Sequence, residues 1–301
     1  MNLNVAAVVV LYKPDLALLD RLILSIKNQV GSVYVVDNTP KSELTYDLAD
    51  TYNDQLIHMP LHDNYGIARA HNVGISSARL AGFSHVLLMD QDSELLPGTV
   101  STLLAEEAKI LSRGVKVGAI GPVFVDEKTG HAAPALSPTF FGTKKTEIDL
   151  VSESPVMTNY IIASGSLIRI QVLDAVGGMQ EDLFIDWVDI EWGERASKLG
   201  FPSFLTPLVT MKHSIGDEFV TVFRRRITLH SDFRNYFIVR NAAYLALWGE
   251  VRAATRFQFA RKIPYYIVCY SWFSKRRMYA TKLLLLALWD GCRKYMFKGR
   301  M

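Results

Sequence analysis

His85-Val86-Leu87-Leu88-Met89-Asp90-Gln91-Asp92 is an apolar run that ends abruptly in two carboxylates one residue apart. An uninterrupted apolar stretch of this length predicts a strand, His85–Met89, covered on both faces, as in a parallel sheet with helices on either side. Upstream, the valine-rich run Val5–Leu11 predicts a first strand of the same kind. After Pro14 and Asp15, the residues Leu16, Leu19, Leu22, Ile23 and Ile26 recur at spacings of three and four, which predicts a helix that closes before Gly31. Further strands are predicted at Val33–Val36, Leu56–Met59 and Val117–Ile120, with helices from Gly66 to Ala81 and from Pro97 to Leu111. This alternation predicts an open, Rossmann-like α/β sheet, whose ligands bind beyond the carboxyl ends of the strands. Tyr12 and Lys13, Asp37 and Asn38, Asn64, and Asp90 with Asp92 all fall at such ends, so separate loops converge on one crevice.

Beyond Val123 the pattern loosens. Residues 123–154 are loop-rich and are expected to form a mobile flap or an acceptor-side loop. A β-like run, Ala163–Ile170, leads to a Gly177-Gly178 turn, a helix Asp189–Leu199 and a strand Phe204–Met211, and residues 229–248 and most of 251–298 are expected to be helical. Half of the 301 residues are apolar, which excludes a disordered or fibrous chain. The net charge of +3 hides an asymmetry: residues 251–301 carry twelve Lys and Arg against Asp290 alone. Two cysteines, Cys269 and Cys292, exclude a disulfide framework and favour a reducing compartment. No apolar run reaches the roughly 18–20 residues that a spanning helix needs.

Three clusters carry chemistry. Asp90 and Asp92, alternate residues of an extended segment, point to one side and suit a hard cation shared with phosphate oxygens; solvated capping aspartates are the plain alternative. Asn64-Tyr65-Gly66-Ile67-Ala68-Arg69 opens a helix whose N-terminus can receive an anion, or simply starts a helix with a small-residue packing face. The dinucleotide fingerprint is missing after the first strand, which disfavours a nicotinamide enzyme. Asp186-Trp187-Val188-Asp189-Ile190-Glu191-Trp192 sets three acids beside two tryptophans that can stack on a sugar. His213, after a strand, is either a metal ligand or an ordinary loop histidine.

These residues, in this order and spacing over about 3–245, resemble family 2 glycosyltransferases, and among them the bacterial rhamnosyltransferases of surface polysaccharides. The motifs are Val8 to Tyr12, Val35 to Asn38, Asn64 to Arg69, Leu88 to Ser93, Ala163 to Ser166, Phe184 to Trp192 and Lys212-His213. The resemblance implies a GT-A fold and an inverting mechanism. It implies a catalytic domain over 1–228, with a nucleotide-sugar half at 1–122 and an acceptor half at 123–228, and a helical basic region at 229–301. By the same resemblance Asp37 would hydrogen-bond a pyrimidine, Leu11 and Tyr12 would line its pocket, and Asn64, Gly66, Arg69, Asp90 and Gln91 would lie along the nucleotide-sugar. Asp90, Asp92 and His213 would hold Mg²⁺ or Mn²⁺. Asp189 would be the catalytic base, kept ionised by its helix start, and Asp186, Trp187, Glu191 and Trp192 would bind the acceptor. The expected substrates are dTDP-L-rhamnose, with a UDP-sugar as the alternative, and a lipid-linked saccharide of O-antigen type.

The tail alternates Ile263, Tyr265, Tyr266, Ile267, Tyr270, Trp272 and Phe273 with basic clusters, which suits amphipathic helices on an anionic membrane. A peripheral place on the cytoplasmic face of the inner membrane is therefore expected, with dimerisation through these helices as the rival and nucleic-acid binding disfavoured. Two competing functions also place D-x-D after a strand or leave it idle: a haloacid-dehalogenase-type phosphatase and a non-catalytic membrane adaptor.

Overall fold

A computed structural model of the chain describes residues 4–48, 52, 56–126, 130–213, 219–222, 225–228 and 230–300, and at 126, 213, 219–222 and 225–228 the backbone. β1 (Val5–Leu11) is buried along its whole length and pairs in parallel with β2 (Ser32–Asp37) and β4 (His85–Asp90), while β3 (Ile57–Pro60) extends β2. Helix α1 (Leu16–Ile26) starts where the Asp15 carboxylate accepts the Ala17 N–H at 2.9 Å, and its apolar stripe buries Leu19, Leu22, Ile23 and Ile26. Helices α2 (Ile67–Leu80) and α3 (Thr99–Ser112) complete the crossovers.

The sheet departs from the expected parallel one. β9 (Ser166–Arg169) runs antiparallel between β4 and β5 (Ile120–Asp126), β10 (Ser203–His213) lies parallel to β5, and β8 (Val156–Thr158) closes the edge antiparallel to β10. A four-residue strand with three buried residues looks alike in either direction, so direction was not written in the Ala163–Ile170 run. The strand expected at Val117–Ile120 begins at Ile120 instead; Gly118 donates to Pro202 O at 2.7 Å, so the approach to the strand is pinned while the ladder starts later. Within the expected flap a hairpin forms, β6 (Ala135–Thr139) and β7 (Gly142–Thr146), and Gln258 Nε2 ties it down by donating to Thr139 O and Gly142 O at 2.6 Å each. A short helix α4 (Ile170–Val176) precedes α5 (Val188–Lys198), and β11 (Phe219–Val222) and β12 (Arg225–Thr228) form a second hairpin.

Three helices follow: α6 (Asp232–Trp248), α7 (Ala253–Phe273) and α8 (Arg277–Arg293). They are no appendage. Phe237, Ala242, Tyr270 and Leu284 belong to the same buried cluster as Val8, Ala70 and Trp192. Glu194 of α5, fully buried, accepts from Arg252 at 2.8 and 2.9 Å and from Thr255 at 2.7 Å, which locks the tail to the α/β core.

The segment that joins α4 to α5 is strained. Phe184, Asp186 and Trp187 have φ of 63°, 62° and 67°, a region that costs side-chain-bearing residues free energy unless their surroundings enforce it. The enforcement comes from α6. Asn241 Nδ2 lies within hydrogen-bond distance of Leu183 O (2.8 Å), Ile185 O (2.7 Å) and Asp186 O (3.1 Å); Arg240 Nη2 donates to Leu183 O at 2.9 Å; and Trp187 Nε1 donates to Ile238 O at 3.0 Å. Replacing Asn241 with Leu removes the side-chain donor shared by Ile185 O and Asp186 O, while Leu183 O keeps Arg240, so urea unfolding should show a loss of about 2–4 kcal/mol, well above the change for a surface Asn→Leu control.

Candidate active site

The carboxyl ends of β1, β2 and β4, the start of α2, the strained segment and one face of α7 enclose a cavity of about 1020 Å³. That volume sits at the top of the roughly 300–1,000 Å³ range of pockets that hold one small molecule. Asp90, Gln91 and Asp92 enter it from the end of β4. Their bend is fixed by Ser164, whose hydroxyl accepts the Asp90 N–H at 3.1 Å and donates to Ser93 Oγ at 2.8 Å. Asp186 and Asp189 enter from the α5 side, together with Trp187.

The electrostatics are those of a crowded acid cluster. Enclosure away from bulk water, then repulsion from Asp92 and Asp189, pushes the Asp90 carboxyl up to about 7, against the opposing pull of Arg234. Enclosure also raises the Asp189 carboxyl, although N–H groups of Ile190 and Ala163 and the charge of Arg234 draw it back. The helix start therefore does not hold Asp189 low, as its sequence position suggested; desolvation wins. Asp186 differs, because Arg234 neutralises it with Nε and Nη2 each 3.0 Å from its Oδ1. Oxygen donors that destabilise one another suit a hard divalent cation. Among the described residues no group of three or more His, Cys, Asp or Glu side chains is poised as a metal site, so Asp90 and Asp92 would need oxygens from a substrate to complete a shell.

The other mouth of the cavity is built from loops that hold one another. Gln91 Oε1 accepts the Tyr12 N–H at 2.8 Å, Asn38 Nδ2 donates to Gly66 O at 3.1 Å while its Oδ1 accepts the Tyr65 N–H at 3.2 Å, and Asn64 Oδ1 accepts the Gly66 N–H at 3.0 Å. Gly66 has φ of 87°, and a Cβ there would lie 2.4 Å from Phe184 O, so only glycine lets the strained segment approach α2. Leu11, Tyr12, Asn38, Asn64 and Gly66 all line the cavity.

Several expected site residues do not reach it. Asp37 is completely buried, and its carboxylate is spent on Thr39 N (2.8 Å), Tyr46 OH (2.8 Å) and His58 Nε2 (3.2 Å). Burial alone would raise it; those hydrogen bonds outweigh burial and hold it below the ordinary carboxylate range. It braces the β2 loop and leaves Asn38 to face the cavity. Arg69 lies outside, over the Tyr65 ring at 4.7 Å. Glu191 pairs with Arg195 at 2.7 Å, and Trp192 Nε1 donates to Gly177 O at 2.9 Å; both sit on the face of α5 turned into the core. The His213 side chain falls outside the described residues.

Other residues of the site were not expected. Tyr265, Tyr266 and Tyr270, read as a membrane face, line the cavity with Arg261 and Lys262. Tyr266 and Tyr270 stack at 5.5 Å and 8°, and Lys262 Nζ stands 6.0 Å over Trp187. A period of four along Lys262, Tyr266 and Tyr270 was there to be seen, but not which neighbour it met. His71, Phe233 and Arg234 complete the wall.

Comparison with known proteins supplies the lineage. A family model described as "Glycosyl transferase family 2" matches residues 7–163. The chain is 35% identical over 249 residues to the dTDP-rhamnosyl transferase RfbF of Shigella flexneri, covering 81% of this chain and 80% of that one. Among solved structures, GalNAc-T7 with UDP, GalNAc and Mn²⁺ superposes with a TM-score of 0.59 at 14% identity, over 89% of this chain and 58% of that one. S. aureus TarS 1-349 in complex with UDP-GlcNAc gives 0.56 at 15% identity, over 96% and 82%. These two likenesses speak for the GT-A fold. A matched family domain that spans the D-x-D strand displaces the phosphatase and adaptor alternatives, and the chain belongs to glycosyltransferase family 2.

Proposed function

We propose that this glycosyltransferase moves L-rhamnose, with inversion, from dTDP-L-rhamnose to a hydroxyl of a lipid-linked saccharide used for O-antigen or another surface polysaccharide. The observation that carries the chemistry is the meeting of Asp90 and Asp92 with Asp189 inside one cavity. The identity of the donor is supported by the 35% identical relative named for dTDP-rhamnosyl transfer.

In this reading Tyr12, Asn38 and Asn64 meet the nucleoside, and the diphosphate lies toward Asp90 and Asp92. Those two residues would hold Mg²⁺ or Mn²⁺, which when bound would supply charge neutralisation for the departing diphosphate. Asp189 accepts the proton of the acceptor hydroxyl as its oxygen bonds to the anomeric carbon and the bond from that carbon to the phosphate oxygen breaks. A carboxylate raised by enclosure is a better base than one in water. Trp187, Tyr266 and Tyr270 offer flat apolar faces for acceptor sugar rings.

The outer side of the tail supports a peripheral place on the cytoplasmic face of an anionic membrane. Trp272 is 64% exposed, Met278 78% and Trp289 52%, and Arg277 and Arg293 lie over the Trp272 and Trp289 rings at 4.9 and 4.7 Å. Aromatic rings flanked by cations are the composition of an interfacial surface. No described helix is long and apolar enough to cross a membrane.

Three measurements test these readings. With Asp189→Asn, kcat should fall by about 10²–10⁴-fold while the calorimetric Kd for dTDP with Mg²⁺ stays within about twofold; near-normal turnover would remove Asp189 as base. Asp90 has a folded pKa above its unfolded one, so its ionisation costs nothing below about pH 4 and destabilises fully above about pH 7. Without added metal, Tm should therefore fall between pH 5 and pH 8, and Asp90→Asn should raise Tm at pH 8 and flatten that slope. Finally, Trp272→Glu with Trp289→Glu should cut binding to phosphatidylglycerol vesicles by about tenfold or more and leave neutral-vesicle binding low; unchanged binding would defeat the membrane placement.

A further inference from the structure

One side chain of the cavity is used neither by the fold nor by the chemistry above. His71, in the second turn of α2, is 1% exposed and forms part of the cavity wall beside Met179 and Phe184. Neither ring nitrogen has a hydrogen-bond partner. A buried polar group left unmatched is unfavourable, and native structures seldom keep one without a use. Its neighbour along the chain offers no relief: Asn72 Nδ2 donates to Met179 O and Glu181 Oε1 at 2.9 Å each, and its Oδ1 accepts the Met179 N–H at 2.8 Å, so that amide is committed to fastening α2. Burial pushes the His71 imidazole down to about 4, so at neutral pH the ring has one N–H to donate and one bare nitrogen to accept.

Its height in the cavity follows from packing. Gly74, one turn further along α2, sits directly on β1, where an added Cβ would be 2.3 Å from Val8 Cγ1. The helix returns antiparallel to the strand, so His71 lies about one turn nearer the carboxyl end, level with Val10. Val10 is paired with Asp90 in the sheet register. The ring is therefore at the level of the carboxylates and deeper than the mouth formed by Tyr12, Asn38 and Asn64.

We infer that His71 recognises a hydroxyl of the transferred sugar and thereby sets donor-sugar specificity. This rests on the transferase reading, in which the sugar lies between Asp90 and Asp189. A sugar hydroxyl both donates and accepts, so it satisfies either tautomer of a neutral imidazole, and a site that pairs a hydroxyl rejects sugars lacking it there. On this reading the contact to His71 comes from the sugar and not from the nucleoside diphosphate.

The test compares dTDP with dTDP-L-rhamnose by calorimetry on the full chain with Mn²⁺. His71→Leu should raise the Kd for the nucleotide-sugar by about 10–100-fold and change that for dTDP by less than about twofold. His71→Gln, which keeps a donor and an acceptor, should recover most of the loss. Unchanged affinity for the nucleotide-sugar in His71→Leu, or equal weakening of both ligands, overturns the proposal. Should His71→Leu not fold, the wild-type imidazole ¹⁵N signals, assigned through His71→Gln, decide: they should shift with dTDP-L-rhamnose and not with dTDP, and no shift overturns it. If the wild type binds UDP-glucose or UDP-GlcNAc in place of dTDP-L-rhamnose, the donor assignment fails, and the same comparison against UDP judges His71. If it binds no nucleotide-sugar, both readings fall.

Discussion

The side-chain amide of Asn241 and the guanidinium of Arg240 grip the carbonyls of 182–186 from a neighbouring helix, and the cavity depends on that grip. Three side-chain-bearing residues with positive φ do not persist on their own. The turn they make swings Trp187 and Asp189 toward Asp90, and Phe184 O into contact with the Ile67 N–H at the start of α2. Arg240 is fully buried and is held near a pKa of about 10 by the same burial, so it remains charged across the neutral range while its donors are absorbed by backbone oxygens. Strain is thus stored at the site and met by hydrogen bonds placed outside it.

That geometry also explains the charge pattern. Four acids enter one cavity, and among the described residues Asp186 is the one that forms an ion pair, with Arg234. Asp92 and Asp189 raise Asp90, and enclosure raises both Asp90 and Asp189, an imbalance with a chemical sense if the ligand brings its own cation and its own anion. On the proposed reading a diphosphate with a divalent ion is such a ligand, and Asp189, across the cavity, would take the proton.

The first half of the chain was legible because it is written in single-element signals. Seven buried apolar residues, an aspartate cap and a three-four stripe need no partner to be recognised, and β1 and α1 fall where they were expected. Asp90, Asp92 and Asp189 were legible through the ends of elements and the family motif. What failed to be legible is what depends on the facing element. Asp37 and Glu191 look in the sequence like the acids beside them, but their partners, His58 and Arg195, turn them inward. The direction of β9 is not encoded in its three buried residues. Arg240-Asn241, a polar pair in a helix otherwise buried on most sides, was a visible anomaly whose purpose only the strained turn reveals.

The basic tail shows the same limit and carries the last step. A helix of mixed aromatic and basic residues has low amphipathicity when it is contacted on two sides, and α7 is such a helix. Its Lys262, Tyr266 and Tyr270 row looks into the cavity, its Phe259 and Ile263 row joins the core, and Val268 and Trp272 remain outside. One wall of the cavity and the exposed aromatic surface are therefore carried by the same helix, which α8 follows. An acceptor whose sugar enters against Tyr266 while its lipid stays at the Trp272 surface would need no hinge between membrane contact and catalysis. On the proposed reading, the tail's twelve Lys and Arg against one Asp would divide between the cavity, where Arg261 and Lys262 lie, and the outer surface, where Arg277 and Arg293 cover Trp272 and Trp289.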